Sequence, residues 1–292
     1  MSGHLFIFGY GYVAGALTER LQPRGWKISA SARRLDKAGA LTAAGIPATV
    51  FGPHGFTDFA RTLSGVTHIL ITAPPGEDGD PVLRAHTPGL EALTGLQGIV
   101  YLSTTGVYGD ANGAWVDEAA PITPVHERGN RRADAELEWN EIGEMTGAAV
   151  TVLRLPGIYG PGRSAFDRLR DGTARRLVKP GQVFSRIHVD DIVQAIEASL
   201  ALDHGTVLNI ADDEPAPPQD VITEAARLLG VEPPPEEDFE TAKARMTPMA
   251  LEFYSANRRI ANARMKAELG LRLIHPTYRE GLRAILAAEG NG

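Results

Sequence analysis

The chain of 292 residues contains no cysteine. Disulfides, thiolate nucleophiles and cysteine-bound zinc or iron–sulfur centres are therefore excluded. No stretch approaches the roughly 18 apolar residues of a membrane span, and the opening Met-Ser-Gly-His lacks the basic segment of a secretory leader. Positive charge is scarce: 29 Lys and Arg against 36 Asp and Glu leave a net charge of −7, with no basic stripe for nucleic acid. These absences predict a cytoplasmic protein without membrane or nucleic-acid partners. The eight histidines show no metal spacing such as H-E-x-x-H, so no metal site is expected. A G-x-S-x-G elbow and a phosphate loop with G-K-[ST] are missing too.

What is present starts at Leu5-Phe6-Ile7-Phe8, a short apolar run ending in Gly9-Tyr10-Gly11-Tyr12-Val13-Ala14. Apolar residues then recur at Val13, Leu17 and Leu21, so the pattern reads as strand, tight turn and helix with G-x-G-x-x-A at the turn. Gly9 permits the turn, Gly11 lets a pyrophosphate approach the backbone, and Ala14 is small enough for helix–strand packing. The helix then aims its N–H groups and positive dipole end at the phosphates. Tyr10 and Tyr12 are expected to wall the cofactor, with Val13 opening the helix beside it.

Trp26–Ser31 alternates like a strand and ends in Ala32-Arg33-Arg34. An NAD site would place an acid near this strand end for the ribose 2′-hydroxyl. Arg33 and Arg34 stand there instead, and guanidinium suits a 2′-phosphate. NADP(H) is therefore the expected cofactor, with NAD(H) as the alternative. Further apolar runs at Ala48–Phe51, His68–Ala73, Gly98–Ser103 and Val150–Leu155 alternate with helical patterns, which predicts a parallel sheet covered on both faces. A helix with a bend near Pro88 is expected over Val82–Leu93, and a charged one over Gly129–Met145. Beyond Pro156 the texture turns Gly- and Pro-rich. Helices are predicted there over Val189–Leu202, Gln219–Leu229, Ala256–Leu269 and Tyr278–Ala288, with strands over Val183–Ile187 and Val207–Ile210.

Several segments, in order, resemble the extended short-chain dehydrogenase/reductase family, also called the NAD-dependent epimerase/dehydratase family. Leu102–Gly109 is similar to its S-[ST]-x-x-V-Y-G segment, and Leu153–Gly162 to its L-R-x-x-x-x-Y-G-P-G loop. Ile187-His188-Val189-Asp190-Asp191 matches an I-H-V-D-D segment, followed by Asn209–Pro215, Asn257-Arg258-Arg259, Glu268-Leu269-Gly270 and a closing Gly281-Leu282. The resemblance implies a Rossmann-type doubly wound α/β fold with a small, mostly helical C-terminal substrate lobe. Residues 1–160 would bind the dinucleotide, with 183–212 returning to that domain. Residues 161–182 and 213–292 would form the lobe.

It further implies that Thr104 orients the reacting oxygen and that a Tyr-x-x-x-Lys pair follows on the next helix. Here Arg128 and Arg132 occupy those places, and no Tyr or Lys occurs between Gly109 and Met145. Arginine stays protonated and cannot relay a proton as a phenol does. The chain thus resembles the atypical extended members that lack the pair. Arg128 and Arg132 are four apart, suited either to clamping a ribose and an anionic substrate or to pairing with Asp134 and Glu136. Tyr108 and Tyr159 are the phenols on motif loops that could supply the missing acid. Ala73, Ser103, Arg132 and Pro156 complete the expected cofactor contacts, and Tyr159, Arg163 and Arg186 the substrate contacts. Asp190 and Asp191 read as helix caps and His188 as structural. The expected function is an NADP(H)-binding oxidoreductase for a small polar or anionic molecule. The alternatives are a non-catalytic dinucleotide sensor and a nucleotide-sugar epimerase or dehydratase; a homodimer stays open.

Overall fold

The computed structural model describes residues 2–290. The chain opens with β1 (His4–Phe8), α1 (Tyr12–Leu21), β2 (Lys27–Ala32), α2 (Leu35–Ala43) and β3 (Ala48–Val50). It continues through α3 (Phe59–Thr62), β4 (His68–Ile71), α4 (Pro81–Glu91), β5 (Gly98–Thr104), β6 (Trp115–Val116) and α5 (Glu127–Thr146). There follow β7 (Ala149–Leu155), β8 (Gly157–Tyr159), α6 (Ala165–Arg170), β9 (Arg176–Val178), β10 (Arg186–His188), α7 (Val189–Ser199) and β11 (Thr206–Asn209). The last stretch holds α8 (Pro218–Leu229), β12 (Glu236–Asp238), α9 (Phe239–Lys243), α10 (Pro248–Tyr254), β13 (Arg259–Ile260), α11 (Ala263–Glu268) and α12 (Tyr278–Gly290).

Two compact units divide these elements. The first takes the chain through Thr104, then Glu127–Arg154 and Val193–Leu208; the second takes Thr105–His126, Leu155–Ile192 and the residues after Leu208. The expected division at residue 160 therefore shifts. Residues 105–126 join the second unit because β6 pairs with β13 (Trp115 opposite Arg259) and the Asn257 carbonyl accepts the Ala111 and Gly113 N–H groups at 3.1 and 2.9 Å.

The first unit is built on a seven-stranded sheet in the order β3-β2-β1-β4-β5-β7-β11. Every residue of β1 and β4 is buried, which accounts for their continuous apolar runs. The chain runs outward from β1 through β2 to β3, then returns to the other side of β1 as β4. Such a reversal leaves a crevice at the carboxyl ends of the two central strands. On α5, Ala135, Trp139 and Ile142 belong to the core cluster that holds Phe6, Phe8, Ile71 and Tyr101. The bend expected near Pro88 is present, with non-helical dihedrals at His86.

The second unit carries three two-stranded parallel pairs, β8–β10, β9–β12 and β6–β13. Its core gathers Tyr159, Phe166, Ile222, Tyr278, Leu282 and Ile285. The helix predicted over Ala256–Leu269 is instead β13 and the short α11. The Asn257 side-chain amide ties this stretch to the segment before β10: it accepts the Val183 N–H at 3.1 Å and donates to the Gly181 carbonyl at 2.8 Å.

Candidate functional site

Gly9 closes β1 at φ +89°, a region that glycine alone enters freely. A Cβ there would lie 3.0 Å from both the Ala73 nitrogen and Thr72 Oγ1. The Thr72 hydroxyl donates to the Gly9 carbonyl, and the Thr72 and Ala73 N–H groups donate to the Phe8 carbonyl at 3.0 and 3.1 Å. The turn is thus locked to the end of β4 at the crevice, with Ala73 in its wall. Gly11 differs. Its backbone is extended, and an added Cβ would meet nothing within 4 Å. At that point α1 opens with no side-chain cap and no acid in its first turn, so its positive end is left for an incoming anion. Tyr10 and Tyr12 are half-buried, while Val13 and Ala14 are buried. This cradle fits a dinucleotide pyrophosphate.

The end of β2 lies against the same turn: the Gly9 N–H donates to Ser31 Oγ at 3.0 Å. The two arginines that follow part company. Arg34 pairs with Asp36 through Nε at 2.9 Å and through Nη2, which holds the Asp36 carboxyl below its ordinary range. Arg33 is exposed. A third cation, absent from the sequence expectation, joins them: Lys37 Nζ donates to the Tyr10 carbonyl. Its position one turn beyond Arg33 on α2 was the available signal.

Thr104 is half-buried at the last position of β5. Ser103 beside it is buried and donates to Glu136 Oε1 at 2.5 Å. The same carboxylate takes Arg154 Nη2 at 2.6 Å and Nε at 3.1 Å, each side chain only 6% exposed. The hydroxyl of Ser103, a residue expected beside the cofactor, thus braces β5 against α5. Arg128 and Arg132 do lie on one helix, because α5 begins at Glu127. Arg128 is exposed in the first turn. Arg132 Nη1 donates to the Leu102 carbonyl at 2.5 Å and the Tyr101 hydroxyl at 3.4 Å, so its partners are at the end of β5. Glu136, one of the two acids expected to pair with the arginines, is held by Arg154. Burial pushes the Tyr101 phenol up to about 12.

In the second unit, Tyr108 is 1% exposed and donates to Asn209 Oδ1 at 2.8 Å. This phenol, one of the two expected to supply an acid, thus forms a buried link to Asn209. Tyr159 is buried too, and its hydroxyl donates to the Thr277 carbonyl at 3.4 Å. Burial, then the Asp212 and Asp191 charges, push this phenol far above the ordinary tyrosine range. Gly281 makes room for it, as a Cβ there would come within 2.2 Å of the hydroxyl. Pro156 is half-buried ahead of this loop, and the exposed Arg163 sits in a turn closed by reciprocal Gly160–Arg163 backbone bonds of 3.3 and 3.0 Å. Arg186 departs from its expected substrate role: Nη1 donates to the Phe184 and Ala216 carbonyls at 2.8 and 3.2 Å, and burial lowers its pKa.

Asp212 lies inside the Asn209–Pro215 segment, but nothing in that segment singles it out. It is 1% exposed, its Oδ2 has no hydrogen-bond partner among the described residues, and burial pushes its carboxyl up to about 8 against the pull of Arg186. The acidic pair at 190–191 also acts differently from its expected capping. Asp191 accepts the Ile274 and His275 N–H groups at 2.6 and 3.1 Å, and Asp190 Oδ2 lies 2.9 Å from His275 Nε2 and 3.4 Å from His188 Nδ1.

Residues 86–211 match the model of the NAD dependent epimerase/dehydratase family. The chain is 31% identical over 242 residues to the protein YeeZ of Escherichia coli (strain K12), covering 78% of this chain and 84% of that one. It is 34% identical over 165 residues to a 3-diazoavenalumate denitrifying reductase of a Streptomyces species, covering 52% of this chain and 51% of the relative. Among solved structures, a functionally unknown conserved protein from Silicibacter pomeroyi DSS superposes with a TM-score of 0.89 and 47% identity, covering 98% of this chain and 99% of that one.

Proposed function

The chain belongs to the NAD dependent epimerase/dehydratase family, and on that premise we propose that it is an NADP(H)-dependent oxidoreductase for a small polar or anionic substrate. The observation that carries the cofactor choice is the cation pair beside the glycine turn. Arg33 is exposed at the end of β2 and Lys37 is hydrogen-bonded to Tyr10, while Asp36 faces Arg34. A 2′-phosphate would meet charge-assisted donors there, and no carboxylate is placed at the strand end for a 2′-hydroxyl.

The dinucleotide, when bound, supplies or accepts a hydride. Gly9, Gly11 and the start of α1 hold its pyrophosphate, with Tyr10, Tyr12, Val13 and Ala73 around them. Thr104 orients the reacting oxygen through its hydroxyl. Arg132 braces the strand end that carries Thr104. Arg128, in the first turn of α5, offers an anionic substrate group a permanent cation. No phenol stands at that turn, so the proton comes from water or from the substrate itself. The reductase relative supports reduction as the direction. The protein is read as acting in the cytoplasm on a free small molecule.

A second reading, a dinucleotide-binding sensor without turnover, draws its support from Arg128 and Arg132 standing where a Tyr and a Lys would act. Calorimetry and a carbonyl panel separate the two. NADPH should bind more tightly than NADH, and Arg33→Ala should cost NADPH about 1.5–3 kcal/mol, roughly 10- to 160-fold, while leaving NADH nearly unchanged. A preference for NADH refutes the 2′-phosphate site. NADPH oxidation that Thr104→Ala slows supports the enzyme; tight binding with no turnover over a wide panel selects the sensor.

A further inference from the structure

We propose that His188, Asp190 and His275 form a binding site for one borderline divalent cation of the Zn2+ class, separate from the dinucleotide cradle. The three residues lie within the second unit, and Asp190 and His275 are 85 residues apart in sequence. Their potential ligand atoms all fall within 4.8 Å of one another.

The argument starts from lone pairs. His188 Nδ1 accepts the backbone N–H of Asp190 at 3.2 Å, so that nitrogen presents a lone pair. Asp190 Oδ2 faces the same nitrogen at 3.4 Å and His275 Nε2 at 2.9 Å. One proton bridges the His275–Asp190 pair and the 3.2 Å N–H bond occupies the His188 lone pair, so an ion would replace that proton and that long bond. A cation would hold all three ligand atoms together in their place. Zinc bonds of about 2.0–2.2 Å imply edges of about 3.3–3.6 Å between tetrahedral ligands. The 3.4 Å edge already has that length, and the 2.9 Å edge needs a shift of only a few tenths of an ångström.

The surroundings hold the site in shape without closing it. The His188 ring is 2% exposed, packed edge-on against Tyr159 at 5.1 Å and tilted over His275 at 3.9 Å between centroids. Its Nε2 has no hydrogen-bond partner among the described residues, so packing positions this ring. The loop bearing His275 is tied down by Asp191, through the bonds to Ile274 and His275. Asp190 is half-exposed and leaves a path for the ion and for water as a fourth ligand. Two imidazoles and one carboxylate favour Zn2+ or Co2+ over Mg2+ or Ca2+, which prefer all-oxygen sets. An ion here would clamp the start of α7 to the segment before α12.

The test is equilibrium dialysis of the untagged, chelator-stripped full chain against Co2+, with its visible absorption as a second readout. One Co2+ per chain is expected. Asp190→Asn and His275→Gln should each weaken it more than about tenfold, since even outer-shell changes cost 10- to 100-fold. Circular dichroism checks that both variants, which avoid the buried His188, stay folded. Wild-type protein that takes up no Co2+ overturns the proposal. So does equal uptake by both folded variants, which places the ion on other histidines.

Discussion

Two glycines two positions apart answer different demands, and substitution separates them. Gly9 is fixed by its backbone, with φ +89° and no room for a Cβ beside Ala73. Gly9→Ala should lower unfolding free energy by about 1–3 kcal/mol, read from urea titrations. Gly11 has ordinary dihedrals and open space. Gly11→Val should keep the urea midpoint close to wild type yet remove measurable dinucleotide binding. Retained affinity in Gly11→Val displaces the pyrophosphate from this turn. A different residue governs pH dependence. An unfolded aspartate ionises near pH 4, whereas native Asp212 holds its proton to about 8. Between those values the native state carries the extra proton, so stability falls as pH rises from about 4 to about 8. Asp212→Asn has no such ionisation. Its melting temperature should gain on the wild type between pH 5 and pH 8, and parallel curves would show that the buried carboxyl is already ionised.

At the scale of elements, α5 and β5 depend on one buried carboxylate. Glu136 takes two arginine nitrogens of Arg154 and the Ser103 hydroxyl in a nearly solvent-free space. Glu136→Gln keeps the shape but leaves Arg154 as an uncompensated buried cation, which costs about 3–5 kcal/mol. The denaturant midpoint should fall accordingly, and an unchanged midpoint would show that water reaches the guanidinium. The carboxylate was hidden in the sequence because α5 is charged along most of its length, and pattern alone cannot tell which acid faces inward. The sheet was legible for the opposite reason. Strands such as β1 and β4 are buried along their whole length, so their apolar runs stand out. The pairs β6–β13 and β9–β12 span two or three residues each, too short for any periodicity. At the candidate site, the glycine turn and Arg33 follow from local spacing. Lys37 was missed because its partner is a backbone carbonyl 27 residues away, and the His188–His275 approach depends on a loop held by Asp191.

For the whole molecule, connectivity decides what can be cut. The chain passes between the two units at 104/105, 126/127, 154/155, 192/193 and 208/209, so neither unit is one continuous stretch. A fragment ending at residue 160 contains the glycine turn, Thr104 and Arg128, and linear motif reading would take it as a complete binding domain. It lacks β11, the sheet neighbour of β7, and thereby leaves β7 as a bare edge with unpaired N–H and carbonyl groups. It also lacks the buried Ile196 and Leu200, together with Glu197, which holds Arg20 at 2.5 Å and also pairs with Arg24. Residues 105–126 would remain without β13 to pair with β6. The fragment is therefore expected to bind a hydrophobic dye, to melt without a sharp transition and to show no NADPH binding, whereas the full chain melts cooperatively. A soluble 1–160 fragment that unfolds in a single sharp step and binds NADPH would restore the boundary at residue 160 and make Val193–Leu208 dispensable to the sheet.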